Sequence, residues 1–299
     1  MSKARKKQKL SSSQAKADPL PEKSESALIV LKSIKTAVTD TTLVVVGTYE
    51  RLLYGFEVTN SEDPSELKIS PKFIMPIHIG YISTLSLCSK FLASGSTDEV
   101  IKLFDIKRKK ELGSLHEHTG TITKVQFFGT SHLLSASSDG SIIIYRTKDW
   151  EVLKVLRGHL KQVNDIAIHP SGKLAISISK DRSAIVWNLL TGHKVSRTKL
   201  LLEGELVRFN QSGDLYSIVS SNSQIITYDI SKGKEISTYS ATSKILDGTF
   251  IKFSDDNEYF MFGAADKSLH LLDANTGKEV FYFKAHDNSF NKALSTKAK

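Results

Sequence analysis

One cysteine, Cys88, among 299 residues excludes an intrachain disulfide framework and suits a reducing compartment. No apolar run approaches the roughly 20 residues that a membrane-spanning helix needs. The opening segment, Met1 to Leu10, is basic and has no apolar core behind it, so it is not a secretory signal. These absences lead us to expect a soluble, intracellular protein. Stretches with helical periodicity are also missing from the body of the chain. Enzyme signatures are equally scarce. There is no Gly-x-Ser-x-Gly elbow, no Gly-rich phosphate loop, no Gly-x-Gly-x-x-Gly ahead of a helix and no His/Cys cluster with metal-ligand spacing. No cofactor, metal or small-molecule substrate is expected.

What is present is a repeat. Six times an apolar run leads to an acidic or amide turn residue, with an aromatic or aliphatic residue six positions later. The pairs are Glu50–Phe56, Asp98–Phe104, Asp139–Tyr145, Asp181–Trp187, Asn222–Tyr228 and Asp266–Leu272, and the turn residues are spaced by 48, 41, 42, 41 and 44. A period of about 40–45 residues marks four-stranded propeller blades of the WD-repeat type. Stacked blades form one body, which overrides the two domains that the length alone would suggest. The fold expected is therefore an all-β WD-repeat propeller with six visible blades.

The boundaries follow from composition. Residues 1–26 are rich in Ser, Lys, Ala, Pro and Glu, too poor in apolar side chains to offset the entropy of ordering, and read as a disordered tail. Short β-type runs begin at Ala27 with "ALIVLKSI" (27–34) and continue to residue 288. Residues 289–299 show no strand pattern and read as a second disordered tail. Of the net charge of +9, residues 1–26 supply +4 and residues 284–299 supply +3, which leaves the body near neutral. The cluster Lys3, Arg5, Lys6, Lys7 and Lys9 reads as a nuclear-import or RNA-contact segment, against the plainer reading of a solubilising tail. The run Lys107, Arg108, Lys109 and Lys110 is placed on the hairpin between the third and fourth strands of blade two. There it could touch phosphate or protect an edge strand.

Three sets of His, Ser and Asp recur at fixed spacing: His78/Ser94/Asp98, His118/Ser135/Asp139 and His159/Ser177/Asp181. A nucleophilic triad converges once, at one cleft; a set repeated per blade reads as structural. The expected arrangement is a buried chain from turn Asp to corner His to strand Ser, ending in blade four at Trp187. Corner and turn loops place Tyr81, Glu99, Lys161, Lys180, Arg182 and Lys267 on one face as candidates for binding partners.

Four stretches go beyond the generic repeat: "VVVGTYERLLYGFEV" (44–58), "HTGTITKVQFFGTSHLLSASSDGSI" (118–142), "HPSGKLAISISKDRSAIVWNLLTG" (169–192) and "FKAHDN" (283–288). Over about residues 43–288 the chain resembles the p21-activated-kinase-interacting proteins and their fungal counterpart in large ribosomal subunit assembly. The resemblance implies a seven-bladed design and a nuclear, nucleolar, non-enzymatic factor for the 60S subunit, with pre-60S assembly proteins and rRNA as partners. In animals it also implies restraint of a protein kinase, which is the alternative function. Two features depart from that family: a next turn residue would fall at about position 308, one period on, and Ser289-Phe290 stands where the family has Arg-Val. The expectation is an arc of six blades with a gap, in which "ALIVLKSI" is either the first strand of blade one or the closing strand of a seventh.

Overall fold

The computed structural model describes residues 41–60, 67–253 and 257–284, all within one compact unit, Thr39–Lys299. The two tails and the run 27–34 lie outside the described residues, as does any ring closure that depends on them. The described residues form six antiparallel sheets, each a meander of sequential strands, and no helix.

The first sheet holds β1 (Thr41–Gly47), β2 (Leu52–Asn60) and β3 (Leu67–Pro76). The second holds β4 (Ile82–Leu87), β5 (Phe91–Ser96), β6 (Ile101–Asp105) and β7 (Lys110–Leu115). The third is β8 (Ile122–Phe128), β9 (His132–Ser137), β10 (Ser141–Arg146) and β11 (Val152–Arg157). The fourth is β12 (Val163–Ile168), β13 (Leu174–Ser179), β14 (Ser183–Asn188) and β15 (His193–Lys199). The fifth comprises β16 (Gly204–Phe209), β17 (Leu215–Ser220), β18 (Gln224–Asp229) and β19 (Lys234–Ser240). The sixth comprises β20 (Ile245–Lys252), β21 (Glu258–Ala264), β22 (Ser268–Asp273) and β23 (Glu279–Lys284).

Burial across each blade explains its composition. Second strands such as β5 and β13 are covered on both faces and use small or β-branched residues ("FLASGS", "LAISIS"), because neighbouring blades pack face to face. Outermost strands carry the charge and are exposed, β15 along its whole length. The core is five apolar clusters, one for each pair of neighbouring blades. The cluster between blades three and four, for example, joins Ile142, Ile144 and Leu156 to Ile166, Ile185 and Trp187.

The three-stranded first sheet has a definite place in this scheme. A Cβ on Gly47 would meet Ile82 Cγ2 at 2.6 Å, and one on Gly95 would meet Ile122 Cγ2 at 2.5 Å. Strand β1 thus stands to β4 as β5 stands to β8, which makes β1 the second strand of its blade. Among the described residues, blade one has no first strand.

Candidate interaction face and its supporting networks

Each blade turns between its second and third strands by the same chemistry. The carbonyl of Ser179 accepts the N–H of Arg182 at 3.1 Å, and Ser137/Gly140, Ser220/Ser223 and Ala264/Lys267 repeat the bond. The turn acid or amide closes the bend locally: Asp98 Oδ1 accepts from Val100 N at 3.1 Å, Asp139 from Ser141 at 2.7 Å, Asp181 from Ser183 at 3.0 Å and Asp266 from Ser268 at 3.0 Å. Such side-chain turns are what Asp and Asn do best. The next residue takes a positive φ in all six blades: Arg51, Glu99, Gly140, Arg182, Ser223 and Lys267.

The second carboxylate oxygen ties this turn to the corner before the blade. Asp98 Oδ2 accepts from His78 Nδ1 at 2.9 Å and from Ile79 N at 3.0 Å. Asp139 does so with His118 at 3.0 Å and Thr119 N at 3.2 Å, and Asp181 with His159 at 3.2 Å and Leu160 N at 2.9 Å. With Nδ1–H donating to carboxylate, each Nε2 is left to accept from the strand serine: Ser94 at 2.8 Å, Ser135 at 2.7 Å and Ser177 at 2.7 Å. Burial lowers the pKa of all three histidines and outweighs the pull of their aspartates. Burial alone would raise Asp181, but hydrogen bonds from Ser183, Leu160 and His159 hold it at about 2. The three serines are fully buried, which keeps their hydroxyls from any substrate.

The three blades end their networks differently. Trp187 Nε1–H donates to Ser177 Oγ at 2.8 Å. Phe104 ends blade two without a polar group. Tyr145 ends blade three with a fully buried hydroxyl that has no hydrogen-bond partner; burial raises its pKa, partly offset by nearby Ser135. Blades five and six lack a corner histidine. Ser217 and Thr227 pair at 2.8 Å in blade five. In blade six His270 arises instead from the third strand, with Nδ1 at 2.9 Å from Glu279 Oε1 and Nε2 at 2.7 Å from Ser268 Oγ. Tyr239 of blade five donates to the same Glu279 at 3.0 Å, which ties the two blades together.

A belt of ion pairs that the repeat pattern did not reveal crosses the innermost strands. A bulge recurs in β4, β8, β12, β16 and β20 and sets Thr84, Lys124, Asp165, Leu206 and Asp247 at equivalent positions. Thr84 Oγ1 and Asp165 Oδ2 each accept the backbone N–H of the next blade, from Val125 and Val207 at 3.2 and 3.1 Å. Lys124 lies 3.4 Å from Asp165, Arg208 lies 2.5 Å from Asp165, and Arg208 lies 2.9 Å from Asp247. Burial would lower the Arg208 pKa, but the two carboxylates raise it. Lys124, Arg208 and Asp247 line a cavity of about 350 Å³ at the inner strands. Aligning the repeats column by column would have shown charge at this position in Lys124, Asp165 and Asp247, with Arg208 two residues beyond it in its own blade.

The corner loops and the turns lie at the same end of each blade, bonded through Tyr81 O to Thr97 N, Gln162 O to Lys180 N and Lys244 O to Ala265 N. This face gathers Tyr81, Glu99, Lys161, Lys180 and Arg182, all exposed, with Lys267 half-buried beside them. Tyr81 packs against Tyr49 with ring centroids 5.3 Å apart, a partner that sequence reasoning did not pick out. Ile79, Leu160 and Leu201 are also presented here at 82%, 80% and 91% exposure. The run Lys107, Arg108, Lys109 and Lys110 lies at the opposite end of blade two, between β6 and β7, fully exposed. Lys3, Arg5, Lys6, Lys7 and Lys9 lie outside the described residues.

Repeated four-stranded blades and turn-to-corner hydrogen-bond relays define a WD-repeat β-propeller, the class of protein to which this chain belongs. The family described as "WD domain, G-beta repeat" matches residues 109–146 and 150–188. Within that class the chain is similar to the p21-activated-kinase-interacting proteins and their fungal relatives. It is 37% identical to a Danio rerio "p21-activated protein kinase-interacting protein 1-like" over 67% of this chain and 54% of that one. It is 32% identical to "Protein MAK11" of Saccharomyces cerevisiae (64% and 52%) and 31% identical to "Shk1 kinase-binding protein 15" of Schizosaccharomyces pombe (50% and 43%). The chain spans about half the length of these relatives.

Proposed function

We propose that the protein is a non-enzymatic scaffold in assembly of the large ribosomal subunit, working in the nucleus and nucleolus by docking assembly proteins and rRNA. The observation that carries this reading is the loop face. Arg51, Glu99, Arg182 and Lys267 all hold the left-handed conformation, at a cost of roughly 1–2 kcal/mol for each side chain relative to glycine. Folding alone would be served better by glycine, as at Gly140, so side chains kept there at a cost point to use by a partner. The exposed Ile79, Leu160 and Leu201 beside them add the apolar anchors of a protein interface.

The test is depletion followed by gradient sedimentation. Loss of free 60S subunits with accumulated large-subunit rRNA precursors is expected; unchanged subunit levels and normal processing would defeat the proposal. A second reading, binding and restraint of a protein kinase, is favoured by the names of the Danio rerio and Schizosaccharomyces pombe relatives. Affinity purification separates the two, since a kinase recovered without ribosomal precursors would favour the second. In the first reading the amino-terminal cluster acts in import. Replacing Lys3, Arg5, Lys6, Lys7 and Lys9 with alanine should move a tagged protein toward the cytoplasm, whereas full nucleolar accumulation would assign localisation to the propeller.

A further inference from the structure

The positive charge of the body is concentrated in one place. Residues 151–199 hold nine Lys and Arg against three carboxylates, Glu151, Asp165 and Asp181. All three carboxylates are engaged: Glu151 by Arg146, Asp165 by Arg208 and Lys124 in the inner belt, and Asp181 by His159 and Arg197. This segment alone carries +6, within a body that is otherwise net acidic.

Strand register gathers part of this charge along a single groove. Lys154 pairs with Ile144 on β10 and shares a face with Leu156, which packs toward blade four. Across the gap, Lys194 pairs with Trp187, Arg197 with Ile185 and Lys199 with Ser183. Ile185 and Trp187 belong to the same inter-blade cluster as Leu156. Four cations therefore line the outer margin of one interface, where β11 and β15 diverge. The turn before β15 sits against one wall, since a Cβ on Gly192 would come within 2.7 Å of Lys154 Cγ. Arg197 is oriented by Asp181 at 3.1 Å.

We propose that this groove between the outer strands of blades three and four binds the phosphodiester backbone of RNA. The proposal deepens the rRNA-docking reading above and rests on it. Successive same-face residues on a strand lie about 6.6 Å apart, so β15 offers cations in a row that can follow neighbouring phosphates. An acidic protein is the poorer fit. Protein interfaces have an apolar centre depleted in lysine, whereas three of these four groups are lysines and no aromatic side chain joins them. Contacts of this kind position a nucleic acid without reading its sequence.

The experiment uses the full chain and a fluorescein-labelled RNA duplex of about 20 base pairs and arbitrary sequence, followed by anisotropy across a salt series. The variant is Lys154→Gln/Lys194→Gln/Lys199→Gln, which leaves Arg197 and its aspartate intact. Lys232→Gln/Lys234→Gln/Lys278→Gln, exposed on blades five and six and with the same loss of charge, is the comparator. The groove variant should bind about ten-fold or more weakly near 0.1 M salt, and the slope of log K against log salt should fall by about 3, one unit per lost contact. The comparator should stay within about three-fold of the parent. Equal weakening by both variants would overturn the groove in favour of net charge. Wild-type affinity in the groove variant, or tighter binding of poly-glutamate than of the duplex, would overturn it outright. Melting temperatures of both variants verify folding. Normal 60S levels after depletion would defeat the assembly role while leaving this measurement intact, so the two failures are distinguishable.

Discussion

Replacing Tyr145 with phenylalanine should stabilise the protein. The Tyr145 ring is fully buried between blades two and three, packed with Ile101, Leu103 and Leu133, while its hydroxyl has no hydrogen-bond partner. Ser135 Oγ spends its hydrogen on His118 Nε2 at 2.7 Å and could still accept one, but the Tyr145 hydroxyl is not in hydrogen-bond geometry with it. A buried hydroxyl without a partner costs about 1–3 kcal/mol of desolvation. Phenylalanine keeps the ring, the rotamer and the apolar contacts and removes only that cost, and the equivalent position of blade two already carries Phe104. A gain of about 1–2 kcal/mol should follow, or about 2–6 °C in melting temperature for a domain of this size. Calorimetry and urea unfolding would measure it. The mirror experiment is Trp187→Phe, which removes the donor to Ser177 and opens a cavity, and should cost about 1–3 kcal/mol. Loss of stability in Tyr145→Phe would mean that the hydroxyl is satisfied in solution, and the reading of blade three would be wrong.

Further outcomes follow from the same structure. The folded-state pKa of His78, His118 and His159 lies below the ordinary value of 6.5, so the unfolded chain takes up protons first and stability should fall as pH drops below about 6.5. A second loss should come at lower pH, as Asp181 is protonated between its ordinary 3.8 and about 2. Urea midpoints that stay flat from pH 8 to about 5.5 would contradict the first step. Arg208→Ala should cost about 3–5 kcal/mol, because the buried Asp165 and Asp247 each lose a charged partner, and Arg208→Met with Asp165→Asn and Asp247→Asn should recover much of it. A single Arg208→Ala that unfolds like the parent would show the belt to be hydrated. Arg182→Gly should raise stability by about 1 kcal/mol by relieving its left-handed backbone, yet weaken capture of assembly partners; unchanged capture would remove Arg182 from the docking face.

The chain reveals its repeats because blades are local. Turn acid, corner histidine and strand serine fall within about one repeat length of each other, so their spacing is visible without knowing how blades meet. The His78, His118 and His159 relays could be written residue by residue for that reason, down to the Trp187 end in blade four. His270 escaped notice because blade six moves its histidine from the corner to the third strand, where it bonds Glu279, which in turn accepts from Tyr239 of blade five.

Periodicity and turn chemistry in the sequence alone determined the all-β repeat architecture, since each blade buries its polar relay within itself. Only the tertiary structure decided what happens between blades. Asp165 and Arg208 are 43 residues apart and meet because their innermost strands, β12 and β16, lie side by side in neighbouring blades. Lys154, Lys194 and Lys199 form a groove because β11 and β15 border the same apolar cluster from opposite sides. Charge summed along the chain places the basicity in the tails, whereas burial and pairing of Asp165 and Asp181 leave blade four with its positive surface uncovered. Such pairings depend on which side chains share an interface, and strand register and packing settle that.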